Sequence, residues 1–173
     1  MKNRIIKEII SWLLIFAVAI TLALLINKFV FFQVEVPSGS MENTIMTGDK
    51  VFTFRLSYIF NDPKKGDIVV FPYPDNEKVD YIKRIIGVGG DKIEIKDGEL
   101  YINDEKMNED YLLEPMRKHD FGPVNVPEGY YFMMGDNRNA SEDARVWENK
   151  FVDGDKIKGK AIFKRPDFSW LNK

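Results

Sequence analysis

The segment Pro37-Ser38-Gly39-Ser40-Met41 sets two hydroxyls on either side of a glycine, directly after a proline. Gly39 permits a backbone angle that other residues avoid, so the turn is expected to present Ser40 outward with its amide exposed. Acyl transfer needs those two things together, an accessible oxygen nucleophile and a donor for the developing oxyanion. The same Ser-Gly-Ser sequence is equally an ordinary surface turn, and only a base can separate the two readings. Cysteine is absent and His119 is the single histidine. Thiol nucleophiles, Cys-ligated metals, disulfides and multi-histidine metal sites are therefore excluded. His119 stands in the hydrophilic stretch Met116-Arg117-Lys118-His119-Asp120, which suits a solvated loop residue better than an oriented imidazole.

Lys83 is the other candidate base. On a strand over Val79 to Ile86 alternate side chains share a face, so Lys83 falls with Val79, Tyr81 and Ile85 as the only charge among apolar neighbours. The other face takes Asp80, Ile82, Arg84 and Ile86. Burial disfavours an ammonium and lowers a lysine from about 10.4 towards neutrality, where the amine can accept a proton from a serine hydroxyl. An edge-strand lysine that covers apolar surface while its head stays wet fits the same pattern. A third segment, Gly135 to Arg145, is dense in turn formers and opposite charges. Asp136, Arg138, Asp143 and Arg145 are expected to brace a rigid loop by charge-assisted hydrogen bonds, from which Ser141 could donate to the lysine amine. A solvated charged turn is the alternative, and Asn139-Ala140-Ser141 also matches a glycosylation acceptor.

These segments need a scaffold, and the chain supplies two kinds. Ile9 to Ile26 are eighteen positions without a charge, roughly 27 Å as a helix, close to the thickness of a bilayer's hydrocarbon core. Lys2, Arg4 and Lys7 precede the run, which predicts residues 1–8 on the cytoplasmic side, an anchor over 9–27, and a domain over 33–173 outside. No A-x-A pattern follows the apolar run, so a retained anchor is expected rather than a cleaved leader. After Phe32 the pattern turns to short β-rich runs: Asp49 to Leu56, Asp67 to Phe71, Val79 to Ile86, Lys92 to Lys96, Glu99 to Asn103, Tyr130 to Met134 and Lys160 to Lys164. Asp97-Gly98 marks a hairpin. Apart from a short turn over Met41 to Met46, helical periodicity is lacking. The fold class is therefore mainly β, an antiparallel sheet domain with a smaller β insertion over about 91–127, preceded by one transmembrane helix. A net charge of −2 gives no bias towards nucleic acid.

Taken in order, PSGSM (37–41), TGDKV (47–51), GDIVVF (66–71), YIKRIIGVGGD (81–91) and GDNRNASEDAR (135–145) resemble the type I signal peptidases, membrane-bound Ser/Lys enzymes that remove signal peptides from exported proteins. The compact size and single anchor are similar to the Gram-positive members. The resemblance implies Ser40 as nucleophile and Lys83 as its base. It implies an oxyanion hole from the Ser40 amide and the Ser38 hydroxyl, and Ser141 holding the lysine amine. Pro37, Met41, Ile45, Tyr81 and Ile82 would form the pocket for the small residue at the cleavage site. Val34, Val36, Val51 and Val70 would line the pocket for the residue two places earlier. The substrate would add as a strand beside the enzyme's own. No metal or cofactor is expected, the partners are signal peptides and the bilayer, and a monomer is assumed. The chain departs from the family's usual residues at Asn43 (proline), Ala140 (asparagine) and Ala144 (serine). Asn43 is expected to loosen the loop after the nucleophile, and Ala144 to remove a hydroxyl from the third segment. Two competing readings are a self-cleaving repressor, which would carry a DNA-binding domain in place of the apolar span, and a tethered β-domain that binds without catalysis.

Overall fold

The computed structural model describes residues 2–171. Helix α1 (Lys2–Phe29) starts inside the basic N-terminal stretch and runs past the apolar segment at both ends. Its most apolar part, Arg4–Ile26, is 23 residues long and packs against nothing in the protein; at 1.5 Å per residue it is roughly 35 Å long, enough to cross a bilayer. The hydroxyl of Thr21 donates to Ala17 O within the helix at 2.9 Å, which removes an unsatisfied polar group from that surface.

The remainder is antiparallel β-structure in two sheets. The larger has eight strands in the order β1-β2-β11-β3-β4-β9-β10, with β12 added beside β11. These are β1 (Phe31–Glu35), β2 (Lys50–Phe54), β3 (Ile68–Tyr73), β4 (Asn76–Val88), β9 (Tyr130–Met134), β10 (Phe151–Asp153), β11 (Gly159–Arg165) and β12 (Ser169–Trp170). The smaller sheet, inserted between β4 and β9, has the order β7-β6-β5-β8 and comprises β5 (Lys92–Lys96), β6 (Glu99–Ile102), β7 (Glu105–Lys106) and β8 (Phe121–Asn125). The β5–β6 hairpin turns where Asp97-Gly98 predicts it, with φ of 52° and 80° at the two central residues, the combination a tight primed turn requires. A Cβ on Gly98 would also stand 2.7 Å from Met116 O, so the position is closed to other residues twice over.

Five strands escape the sequence reading, each for a physical reason. Phe31 and Phe32 of β1 continue an apolar run and look like the tail of the anchor. β8 contains Gly122-Pro123, which counts against a strand; it lies on an edge of the smaller sheet, where a missing N–H breaks no ladder. β7, β10 and β12 are two or three residues long, too short for any periodicity.

Apolar side chains gather into two cores. One lies between the sheets, around Ile85, Ile93, Leu100, Phe132 and Trp147. The other, Val36, Met41, Ile45, Val51, Ile68, Val70, Ile82, Ala161 and Leu171, lies directly beneath the Ser40 turn. β4 passes between them and is buried on both faces over Ile82 to Gly87. Lys83 is buried on the face that alternation assigns it, and a second charge of the same strand is buried with it. Lys83 and Arg84, on opposite faces, are 4% and 8% exposed, while Val79, assigned to the apolar face, is half exposed. A bulge between Ile85 and Gly87 also ends the simple alternation.

Candidate active site

Ser40 lies in a single turn of 3-10 helix, Gly39–Met41, entered from an extended Ser38. Amides in the first turn of such a segment have no partner within it, which leaves the Ser40 N–H available. Met41 and Ile45, both fully buried, pin the turn to the core below. The unusual backbone angle expected at Gly39 is found instead at Asn43, with φ 83°; Gly39 is absent from the left-handed residues. No proline can adopt that angle. Asn43 does not loosen the loop, because its Nδ2 donates to Tyr111 O and Leu112 O at 3.1 and 3.2 Å.

Lys83 reaches the turn from β4, and its Nζ is hydrogen-bonded to Ser40 Oγ at 2.5 Å. Burial holds the amine at about 8 instead of 10.5, against the upward pull of the carboxylates of Asp143, Asp136 and Glu142. A lysine in that range is deprotonated in part near neutral pH and can take a hydroxyl proton. Ser38 Oγ is 3.4 Å from Ser40 Oγ, on the same turn. His119 is exposed, with Nδ1 at 3.0 Å from Arg117 O, and has no contact with either residue.

The loop of 135–145 is docked against this pair. Asn137 N bonds Ser40 O at 3.1 Å, and Asn137 Nδ2 donates to Gly39 O at 3.0 Å. A Cβ on Gly135 would lie 2.3 Å from both Ser40 O and Ser141 Oγ, so any side chain there would push the two loops apart. Neither Gly135 nor Asn137 stood out in the sequence, since the Ser40 turn that each meets lies almost a hundred residues away. The bracing charges pair differently from the expectation of a self-contained loop. Asp143 and Arg145 do bond each other, through Nε and Nη2 at 2.7 and 2.8 Å. Asp136 is instead gripped by Arg84 at 2.8 and 2.6 Å and accepts from Thr44, while Arg138 pairs with Glu109. These are fully or nearly buried ion pairs, tolerable only because each carboxylate also finds further donors.

Ser141 makes no hydrogen bond to the lysine. Its Oγ is buried without a hydrogen-bond partner. Ala144 is fully buried in the inter-sheet core, its amide bonded to Met133 O at 3.1 Å. The glycosylation motif is committed to structure: Asn139 Nδ2 donates to Glu114 Oε1 and Pro115 O at 2.8 and 3.1 Å.

A groove of about 590 Å³ opens onto Ser40 and Lys83, with residues 34–38 on one side and 79–83 on the other. Of the expected pocket residues, Val34, Val36, Pro37, Val70, Tyr81 and Ile82 line it. Met41, Ile45 and Val51 do not; they are 0% exposed and form the layer beneath its floor. Glu35, Asp80, Ala140 and Glu142 complete the rim. Among the described residues no strand pairs with β4 over 79–83 on the side that β9 occupies further along, and this stretch lines the groove. No group of side chains among the described residues is arranged to hold a metal ion.

Comparison with known proteins agrees with this geometry. Residues 9–165 match the signal peptidase family, peptidase S26. Signal peptidase I of Bacillus licheniformis is 40% identical over 148 residues, 80% of this chain and 79% of that one. Signal peptidase IB of Staphylococcus aureus is 33% identical over 180 residues, 94% and 92% of the two chains. The crystal structure of a signal peptidase I from Enterococcus faecalis superposes with a TM-score of 0.51 at 34% identity, covering 58% of this chain and 97% of that one. A buried Ser–Lys pair on a mainly β scaffold, behind an apolar N-terminal helix and within these similarities, means that the chain belongs to the peptidase S26 family of signal peptidases, serine endopeptidases that act on exported preproteins.

Proposed function

We propose that Ser40 and Lys83 perform the cleavage, and the 2.5 Å contact between Lys83 Nζ and Ser40 Oγ carries that assignment. Neutral Lys83 takes the Ser40 proton as Oγ attacks the carbonyl carbon of the scissile bond. The tetrahedral oxyanion is met by the Ser40 N–H and the Ser38 hydroxyl. The Lys83 ammonium then returns its proton to the departing amine, which frees the mature protein and leaves the signal peptide esterified to Ser40. Water, deprotonated by the same amine, hydrolyses the ester. Asp136, Arg138, Asp143 and Arg145 hold the surrounding loop.

The substrate lies extended in the groove, pairing its backbone with the open stretches 34–38 and 79–83. The walls of Val34, Val36, Val70, Tyr81 and Ile82 leave room for small side chains. Anchor 9–27 crosses the membrane with residues 1–8 cytoplasmic and 33–173 outside. Ile59 and Phe60, 57% and 91% exposed, follow the strand end that abuts the helix, since Arg55 N bonds Val30 O. Apolar side chains so placed favour a domain resting on the bilayer. The self-cleaving repressor and the non-catalytic tether have no observation in their favour.

The test uses the full chain in detergent with a preprotein carrying Ala-x-Ala before its cleavage point. Cutting is expected directly after the second alanine. Phenylalanine at either alanine should lower kcat/KM by about 100-fold, because a bulky ring cannot enter pockets closed from below by packed core. Indifference to that change would remove the groove from the account.

A further inference from the structure

The chain between β7 and β8 leaves the smaller sheet and returns across the loops that carry Ser40 and Ser141. Besides the bonds from Asn139 to Glu114 and Pro115, three ties hold it to the catalytic residues' neighbours. Asn43 Nδ2 donates to the carbonyls of Tyr111 and Leu112. Arg138 bonds both carboxylate oxygens of Glu109, with Nη1 to Oε2 at 2.7 Å, and the two side chains are 0% and 8% exposed. The Tyr111 hydroxyl donates to Glu109 Oε1 at 2.6 Å, and its ring lies 4.1 Å from the Arg84 guanidinium.

The three ties converge on the chemistry from different sides. Asn43 is three residues after Ser40, Arg138 is three before Ser141, and Arg84 adjoins Lys83. Arg84 holds Asp136, which in turn accepts from Thr44 in the loop after the nucleophile. Asn43 also sits at φ 83°, so its two side-chain bonds fix the direction in which the chain leaves the Ser40 turn. A buried arginine–carboxylate pair costs much desolvation and is a weak source of net stability, which leaves geometry as its main yield here.

We infer that residues 107–115 form a positioning strap: Asn43, Glu109 and Tyr111 set the spacing of the nucleophile and its base without touching substrate. The inference rests on the assignment of Ser40 and Lys83 made above. Reacting groups held at near-attack distance are sensitive to displacement, about 100-fold for a shift of 1 Å. Release of one tie, with the others intact, is a smaller disturbance. A nucleophile that drifts from Lys83 Nζ also opens the amine to water. Its affinity for a proton then climbs back towards that of an ordinary lysine, and the acidic limb of activity moves to higher pH.

Two substitutions separate positioning from mere stability. Asn43→Gly keeps the left-handed backbone and deletes both side-chain bonds. Tyr111→Phe keeps the ring against Arg84 and deletes the hydroxyl. Each full-length variant is assayed on a preprotein, with kcat and KM resolved across pH and the thermal midpoint recorded. Each is expected to lose about tenfold in kcat with KM within about twofold, and to shift its acidic limb upward. Wild-type kcat and an unmoved limb in both variants, with only a lower thermal midpoint, would overturn the strap. Ser40→Ala is run alongside: if it still cleaves, the nucleophile assignment has failed, whereas an inert Ser40→Ala beside fully active strap variants rejects the strap alone.

Discussion

Ser40→Ala should lower preprotein cleavage by about a millionfold while leaving the domain folded, the scale seen when a serine nucleophile is removed from a peptidase. The loss is expected to be so large because the rest of the site cannot replace a covalent step. Ser38 Oγ is nearby, at 3.4 Å from Ser40 Oγ, but the bonded partner of Lys83 Nζ is Ser40. The fold should be barely affected. The turn is held by Asn137, whose N and Nδ2 donate to Ser40 O and Gly39 O, and by the buried side chains of Met41 and Ile45, none of which needs the hydroxyl. Circular dichroism and the thermal midpoint of the variant check the second half of the expectation. Residual cleavage within about 100-fold of wild type would direct attention to Ser38 or Ser141.

Lys83→Met should remove activity by at least about 10⁴-fold and yet leave the protein equally stable or more so. The sign of the lysine's contribution to folding decides the second half. The unfolded chain keeps that proton up to 10.5, and the folded chain releases it at about 8. Below about 8 the fold therefore carries the full cost of a desolvated ammonium, about 3 kcal/mol, which is relieved as pH rises from about 8 to 10.5. Methionine fills a similar volume without a charge and escapes that cost. A catalytically dead variant with a raised thermal midpoint at neutral pH is the expected pairing, measured by cleavage rate and thermal unfolding. A lysine that merely stabilised the fold would give the reverse.

Much of this site was legible in the order of the motifs, and less in spacing or charge. PSGSM and YIKRIIGVGGD named Ser40 and Lys83 as candidates, and the absence of cysteine with a single hydrophilic-loop histidine narrowed the choice of base. Alternation along β4 identified a lysine held among apolar residues, but it could not reveal that Arg84 is buried on the opposite face. That burial depends on Asp136, 52 positions away, and on no local pattern. The same distance effect hid the tie between Asn43 and the carbonyls of 111 and 112, which converts an expected loosening into an attachment. Pocket residues were separable only in part. Met41, Ile45 and Val51 have the same apolar character as Val36 and Val70, and which of them faces the groove is decided by packing in the layer below. Ser141 marks the opposite case, since a residue expected to hold the lysine has its hydroxyl buried without a partner.

The central claim is that Lys83, and not His119, is the base for Ser40. Its most direct test is kcat/KM for preprotein cleavage from about pH 5.5 to about pH 10, in the wild type and in His119→Ala, because that ratio reports the free enzyme's essential base. The account predicts a tenfold rise per pH unit at the acid end that levels off at about 8 in both proteins. A rise that levels near about 6.5 in the wild type and disappears in His119→Ala would contradict it.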